Sequence, residues 1–216
     1  MGHKSRELFQ LERVAFFSDA VFAIAITLLV IEIHVPHLKS DTDAALGQAL
    51  LSLIPKYMGF FISFMVIGQF WLGHHRAFGY LRASDDKLIR RNMWFLLGVA
   101  FMPFMTALVS EYGNLRVAVI AYASWLLLLG LLSRYVIGYA LHAEHLLFHD
   151  VDRSDIEIRY WIGWTPVIIA VFAIALSLLH PFLALIPMIG SPVIVYIMNR
   201  IAQRRTGRKL YGAQLD

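Results

Sequence analysis

The chain of 216 residues contains no cysteine, so disulfide bonds and thiolate metal sites are excluded and the redox compartment cannot be inferred. Charged residues are scarce as well: they make up 16% of the chain, whereas 59% of the residues are hydrophobic. At a mean hydropathy of +0.64, the chain carries more apolar side chains than a soluble domain of this length could bury. It is therefore expected to be an integral membrane protein.

Glycine-serine linkers, low-complexity segments and convincing internal repeats are also absent, which predicts a single domain over residues 1–216. The first apolar stretch is too long and too polar for a cleaved signal peptide and is interpreted as a retained helix. The pI of about 9.4 does not indicate nucleic-acid binding, because the basic residues lie in short segments between apolar runs rather than on one helix face. We expect no nucleic acid among the partners, and the lipid bilayer is the first partner predicted.

The apolar runs have the length of about 18 to 25 residues that an α-helix needs to cross a membrane. They predict an all-α integral membrane protein with six transmembrane helices per subunit. The predicted spans are 14–34, 51–72, 93–110, 116–140, 161–179 and 182–199. Pro55 falls in the opening turn of the second span, where proline is tolerated.

The distribution of lysine and arginine predicts the orientation. Of the 19 basic residues, 16 fall in the N-terminus, the second and fourth connections and the C-terminus, all on one side of a six-span chain. Only Lys39, Lys56 and Arg116 remain for the other side. Because basic loops stay in the cytoplasm, we predict a multi-pass protein of the cell membrane with both termini cytoplasmic.

Asp19 is the unusual residue of the first span, because an ionisable side chain inside a membrane is costly and by default suggests a functional site. At 100° per residue, one aliphatic face of this helix includes Ile24, Thr27, Leu28 and Ile31, and Asp19 lies about 140° from Ile24. The two faces are therefore expected to have different roles. The Asp19 face should turn toward other helices, where a carboxylate can find donors.

Candidate partners for Asp19 lie at the cytoplasmic end of the second span, where Trp71, His74 and His75 enter the membrane at a similar depth. A histidine or the Trp71 indole N–H would satisfy the carboxylate, and Arg13 could extend its side chain into the same network. Simple attachment of one helix to another explains these residues equally well. Gating and attachment are compatible roles.

A second polar cluster contains His142, His145 and His149 at positions i, i+3 and i+7. Histidines at helical spacing can bind zinc, but the order of residues matches no recognised metal motif. A solvated helix end is the favoured interpretation, and we predict no metal site.

Several motifs of the first three spans resemble one known family, the bacterial members of the lysosomal potassium channel family, transmembrane protein 175. The first motif is Arg13-x-x-x-Phe17-Ser18-Asp19, and the second is Trp71-x-x-His74-His75-Arg76. A third, in the third span, is Phe101-Met-Pro103-Phe104-Met-Thr106 with Glu111-Tyr112. The last three spans resemble the family only in hydropathy.

This resemblance implies a potassium-selective cation channel in which the first helix of each subunit lines a central pore. A chain with one six-helix repeat would assemble as a homotetramer. Aligned on the Phe-Ser-Asp triplet, the aliphatic constriction falls on Ile24, the threonine associated with selectivity falls on Thr27, and Ile31 lies one turn further out. Potassium is the expected permeant ion, held transiently at Thr27, and no cofactor is implied. The motif residues Arg13, Phe17, Ser18, Asp19, Trp71, His74 and His75 would form a structural or gating network.

Two other functions remain open from the sequence. A proton-coupled secondary transporter could use Asp19 and the nearby histidines, although no inverted repeat or broken helix is visible. An intramembrane enzyme is disfavoured, because the spans contain no nucleophile–base pair, carboxylate pair or metal motif. The carbonyl filter sequence Thr-Val-Gly-Tyr-Gly is absent, so selectivity in a channel would depend on pore radius, hydroxyl groups and dewetting.

Overall fold

A computed structural model describes residues 2–184, 186–187 and 190–206 of the chain. Within these residues all regular structure is helical, apart from one isolated bridge between Leu81 and Leu147. The helices are α1 Gly2–Leu28, α2 Asp43–Ser52, α3 Ile54–Phe78, α4 Asp86–Ala100, α5 Met102–Tyr112, α6 Arg116–His142, α7 Arg153–Ile162, α8 Thr165–Leu179 and α9 Ser191–Thr206.

The first helix is longer than the span predicted at 14–34, because α1 begins at Gly2 and continues through the polar N-terminal residues. Its C-terminal end changes at Leu29–Glu32 into a 3-10 helix, which winds more tightly than an α-helix. Hydropathy detects the part of a helix that lies in lipid, and it gives no information about a polar extension in water.

The second predicted span falls on a bent pair of helices. The chain breaks at Leu53, between α2 and α3, and the two axes differ by 44°. Pro55 lies in the first turn of α3, where a missing N–H costs no intrahelical hydrogen bond. It therefore opens a helix, but it stands beside the break of the pair. The predicted span starts at residue 51, in the last turn of α2, so nearly all of α2 lies outside it.

Four helical stretches of the described chain are long and apolar enough to cross a membrane, and the count is five if the bent pair is one span. The four are Glu7–Glu32, Asp86–Tyr112, Arg116–His142 and Arg153–Leu179. The third and fifth predicted spans therefore correspond to helix pairs, α4 with α5 and α7 with α8. The sixth predicted span, 182–199, lies partly outside the described residues, so the count of six stays a prediction.

Close contact between helices depends on small residues, as in other membrane proteins. At Gly98 a side chain would lie 3.0 Å from Leu129 of α6, and at Gly130 one would lie 3.1 Å from Val167 of α8. The Trp125 indole donates a 3.1 Å hydrogen bond to the Gly98 carbonyl and adds a polar link between α4 and α6. These contacts place α6 between α4 and α8.

Candidate pore helix and its polar network

One face of α1 is buried in the helical core of the chain and the other is exposed. Phe22 and Ala25 are both 1% exposed, because they pack against α3 and α4. On the opposite side, Ile24 is 58% exposed and Ile31 is 61% exposed. A wide, exposed aliphatic face is typical of a helix that contacts lipid or other subunits.

The exposed face contains all four residues that the sequence singled out as a possible pore lining, which are Ile24, Thr27, Leu28 and Ile31. The Thr27 hydroxyl donates a 2.9 Å hydrogen bond to the Ile24 carbonyl, within the helix. A hydroxyl that donates in this way keeps its oxygen lone pairs available for a cation. Phe17 and Arg13 are exposed as well, nearer the N-terminus.

The buried polar side of α1 begins at Ser18, which is fully buried. Its hydroxyl donates to the Val14 carbonyl over 2.8 Å and accepts a 2.8 Å hydrogen bond from Nδ2 of Asn92 in α4. The Asn92 Oδ1 lies 2.9 Å from Nε2 of His74. Because Oδ1 can only accept, this arrangement makes His74 the donor, with its proton on Nε2.

Asp19 uses a different partner. Its Oδ1 accepts a 2.8 Å hydrogen bond from the Trp71 indole N–H. The His75 ring stacks on Trp71 with centroids 5.3 Å apart and is itself exposed. The structure therefore pairs Trp71 with Asp19, and it pairs His74 with Asn92. In the described residues, no hydrogen bond joins Arg13 to Asp19.

Aromatic rings enclose the His74 side chain. The Phe78 ring stacks on it with centroids 3.9 Å apart, and Phe22 and Phe95 lie 5.8 and 6.0 Å away. Phe22 belongs to α1, Phe78 to α3 and Phe95 to α4. These three rings therefore join the same helices as the hydrogen bonds among Ser18, Asn92 and His74.

Sequence reasoning missed Asn92, although the spacing of its neighbours contains a signal. Four buried residues of α4 follow one another at intervals of three or four positions: Leu88, Asn92, Phe95 and Val99. A lone amide on an apolar helix face needs buried partners of its own. That pattern could have identified Asn92 as a hydrogen-bond partner of Ser18 or His74.

The three histidines of the second polar cluster, His142, His145 and His149, do not share a helix face, because α6 ends at His142. His142 contacts the Gly138 carbonyl, His145 pairs with Asp85, and His149 accepts from Arg82. Within the described residues, no group of three or more histidine and acidic side chains could hold a metal ion.

Asp85 organises the loop before α4. It caps the helix by accepting a 2.7 Å hydrogen bond from the Leu88 N–H, and it also accepts from Tyr139 and His145. Partial burial raises the pKa of the Asp85 carboxyl, but the hydrogen bonds from Tyr139, Leu88 and His145 outweigh it and hold that pKa below its usual value. Asp85 is thus an anchor between α4 and the end of α6.

Comparisons with known proteins agree on one family. Residues 13–103 match the profile of the family described as endosomal/lysosomal potassium channel TMEM175. A protein named as a potassium channel in Chamaesiphon minutus is 40% identical over 148 residues, which cover 67% of this chain and 73% of that protein. Another potassium channel, from Streptomyces collinus, is 45% identical over 100 residues, covering 46% of this chain and 48% of the relative. The human relative, named as an endosomal/lysosomal proton channel, is 23% identical over 66% of this chain and 28% of its own length.

The fold is also similar to a solved structure. The crystal structure of a lysosomal potassium-selective channel TMEM175 homologue from Chamaesiphon minutus superposes with a TM-score of 0.76. The match has 31% sequence identity and covers 88% of this chain and 98% of that one. Fold and relatives together define a multi-pass helical membrane protein of the ion channel class, not an enzyme. The chain belongs to the TMEM175 family of endosomal/lysosomal potassium channels, as the sequence motifs predict.

Proposed function

We propose that this chain is a passive, potassium-selective channel of the bacterial cell membrane that works as a homotetramer. Four copies of α1 would surround a central pore, with Ile24 at the narrowest point. The observation that supports this proposal is the exposed aliphatic face of α1, since the helix is held by its polar side and leaves Ile24 and Ile31 uncovered.

A ring of Ile24 side chains would act as a hydrophobic constriction. Apolar rings of this kind exclude water, so a hydrated ion meets a barrier that depends on pore radius and on the lining. The Thr27 hydroxyls, one turn further out, would be the nearest oxygens that could replace water around potassium. No carbonyl filter is proposed, because the chain lacks the filter sequence.

Single-channel recording tests the pore assignment. Ile24→Asn should raise the unitary conductance and reduce the preference for potassium over sodium, because an amide wets the constriction. The matched control is Leu97→Asn on α4, since Leu97 is 59% exposed and Ile24 is 58% exposed. If the Leu97 variant changes the current and the Ile24 variant does not, α1 does not line the pore.

The second candidate, a proton-coupled transporter, depends on a carboxylate that can exchange protons. Asp19 is engaged with Trp71, and His74 is enclosed by aromatic rings, which favours a structural role for both. The same recordings separate the candidates, because only a channel passes ions down their gradient in resolved unitary steps. Since the human relative is named as a proton channel, the recordings should include a pH gradient without potassium.

A further inference from the structure

A cavity of about 450 Å³ lies between α3, α5, α6 and the 3-10 segment that follows α8. Its lining runs along α3 from Ile54 to Ser63, a distance of about 14 Å at 1.5 Å per residue. On the other walls it reaches Gly113, Tyr122 and Phe182. In the proposed orientation these residues form the non-cytoplasmic half of the subunit.

The interior of this cavity suits an apolar occupant. Its walls include Met58, Ile62, Val109 and Val119, and two of its polar groups, the hydroxyls of Ser63 and Tyr122, bind one another. The Ser63 hydroxyl lies 2.9 Å from the Tyr122 hydroxyl and accepts a 2.7 Å hydrogen bond from Thr106. A buried water needs two to four polar partners, so these paired hydroxyls offer poor binding to water.

The polar edge of the cavity has both charges. Glu111, one of the lining residues, forms a 2.8 Å ion pair with Lys56, and both side chains remain accessible to solvent. Lys56 is one of only three basic residues that the topology places on this side. An ammonium beside a carboxylate complements a headgroup that itself carries a phosphate and an ammonium.

The cavity also lies away from the proposed pore, because no described residue of α1 lines it. Its position at the periphery therefore rests on the proposed arrangement of four α1 helices around the axis. There, the bilayer surrounds the protein and lipid tails fill any apolar groove that opens to it.

We propose that this cavity binds one acyl chain of phosphatidylethanolamine from the non-cytoplasmic leaflet, with the headgroup at Lys56 and Glu111. A lipid tail gains little from leaving other lipid tails, since both environments are equally apolar. Preference for this lipid therefore comes from packing in the concave groove and from the paired charges at its edge.

Native mass spectrometry of the assembled, delipidated protein tests the site, with phosphatidylethanolamine or phosphatidylglycerol of identical chains added in turn. The wild-type protein should bind phosphatidylethanolamine more tightly. Met58→Trp fills the groove and should weaken this binding by about tenfold or more. Met65→Trp is the matched control, because Met65 lies on the same helix and is 51% exposed where Met58 is 45% exposed, but it does not line the cavity. Ile62→Phe is a second groove-filling variant and should behave like Met58→Trp.

The double substitution Lys56→Gln with Glu111→Gln should abolish the preference between the two headgroups while leaving binding measurable. The proposal is overturned if both methionine variants weaken binding equally, or if the wild-type protein shows no preference. It is also overturned if Met58→Trp changes the number of subunits without changing lipid affinity, since the groove would then be covered by a second copy. Ion currents are not part of this measurement, so its failure is distinct from failure of the pore proposal.

Discussion

The indole nitrogen of Trp71 donates to Oδ1 of Asp19 across 2.8 Å, while the adjacent Ser18 accepts from Asn92 across 2.8 Å. Two neighbouring residues of α1 are thereby fixed to two different helices, α3 and α4. This double attachment sets the rotation of α1 about its own axis. The aliphatic face is consequently presented on the side away from both helices.

Asp19→Ala should reduce the stability and folded yield of the protein, because it leaves the Trp71 N–H without its acceptor. The expected loss is roughly 1 kcal/mol, at the low end of the cost of an unpaired polar group because the hydrogen bond is only partly buried. Thermal unfolding in detergent measures the effect. Asp19→Asn is the control, since its amide oxygen can still accept from Trp71, and unchanged stability in Asp19→Ala would contradict the role.

Asn92→Leu should destabilise the junction of α1, α3 and α4, because His74 loses its acceptor and Ser18 loses a donor. We expect roughly 1 to 3 kcal/mol from the unpaired groups. The matched control is Asn114→Leu, which changes an exposed asparagine outside the network. Equal thermal midpoints for the two variants would show that the buried hydrogen bonds contribute nothing measurable.

The sequence predicted that Asp19 needs a hydrogen-bond donor from another helix, but it did not predict the whole polar network. Asp19 stands out because it interrupts an apolar run, and Trp71 was a candidate partner because both enter from the same side. The pairing of His74 with Asn92 was not predicted, because depth in the membrane does not specify which neighbouring helix a side chain faces. The apolar spacing around Asn92 indicated only that this amide needs a buried partner. Likewise, the polar extension of α1 to Gly2 leaves no trace in hydropathy.

Thr27→Ala should lower the discrimination between potassium and sodium, with a smaller effect on conductance than Ile24→Asn. The substitution removes a hydroxyl oxygen but keeps the Ile24 constriction, so the barrier from dewetting persists. Reversal potentials under bi-ionic conditions give the selectivity directly. Thr27→Ser, which keeps the hydroxyl, should retain the selectivity for potassium. Loss of selectivity in that variant would argue against a role of the hydroxyl.

Asp85→Asn should reduce the sensitivity of the fold to acid. Because the pKa of Asp85 is lowered in the folded state, the charged carboxylate stabilises the fold above about pH 4, the ordinary value for aspartate, and this contribution is lost as the pH falls toward the folded-state pKa. Asparagine still caps α4 but does not titrate. Thermal midpoints between pH 6 and pH 3 should therefore fall less steeply than in the wild type. A wild-type slope in Asp85→Asn would contradict the role of this carboxylate.

Single cysteines test the predicted topology, and the chain provides a cysteine-free background. Lys39→Cys should react with a membrane-impermeant maleimide added to intact cells, whereas Lys87→Cys should react only after the membrane is permeabilised. This follows from the excess of basic residues assigned to the cytoplasmic side. Labelling of both positions in intact cells would refute the orientation.

The attachment of α1 by Ser18 and Asp19 has a consequence for synthesis of the protein. Their partners Trp71 and Asn92 lie 52 and 74 residues further along the chain. At roughly 5 to 20 residues per second, α1 is made about 4 to 15 s before both partners exist. During that interval a carboxylate in the first helix has no donor, so α1 must wait at the translocon or near the lipid headgroups until α3 and α4 arrive. The order of translation thus makes the first helix among the last to reach its final position.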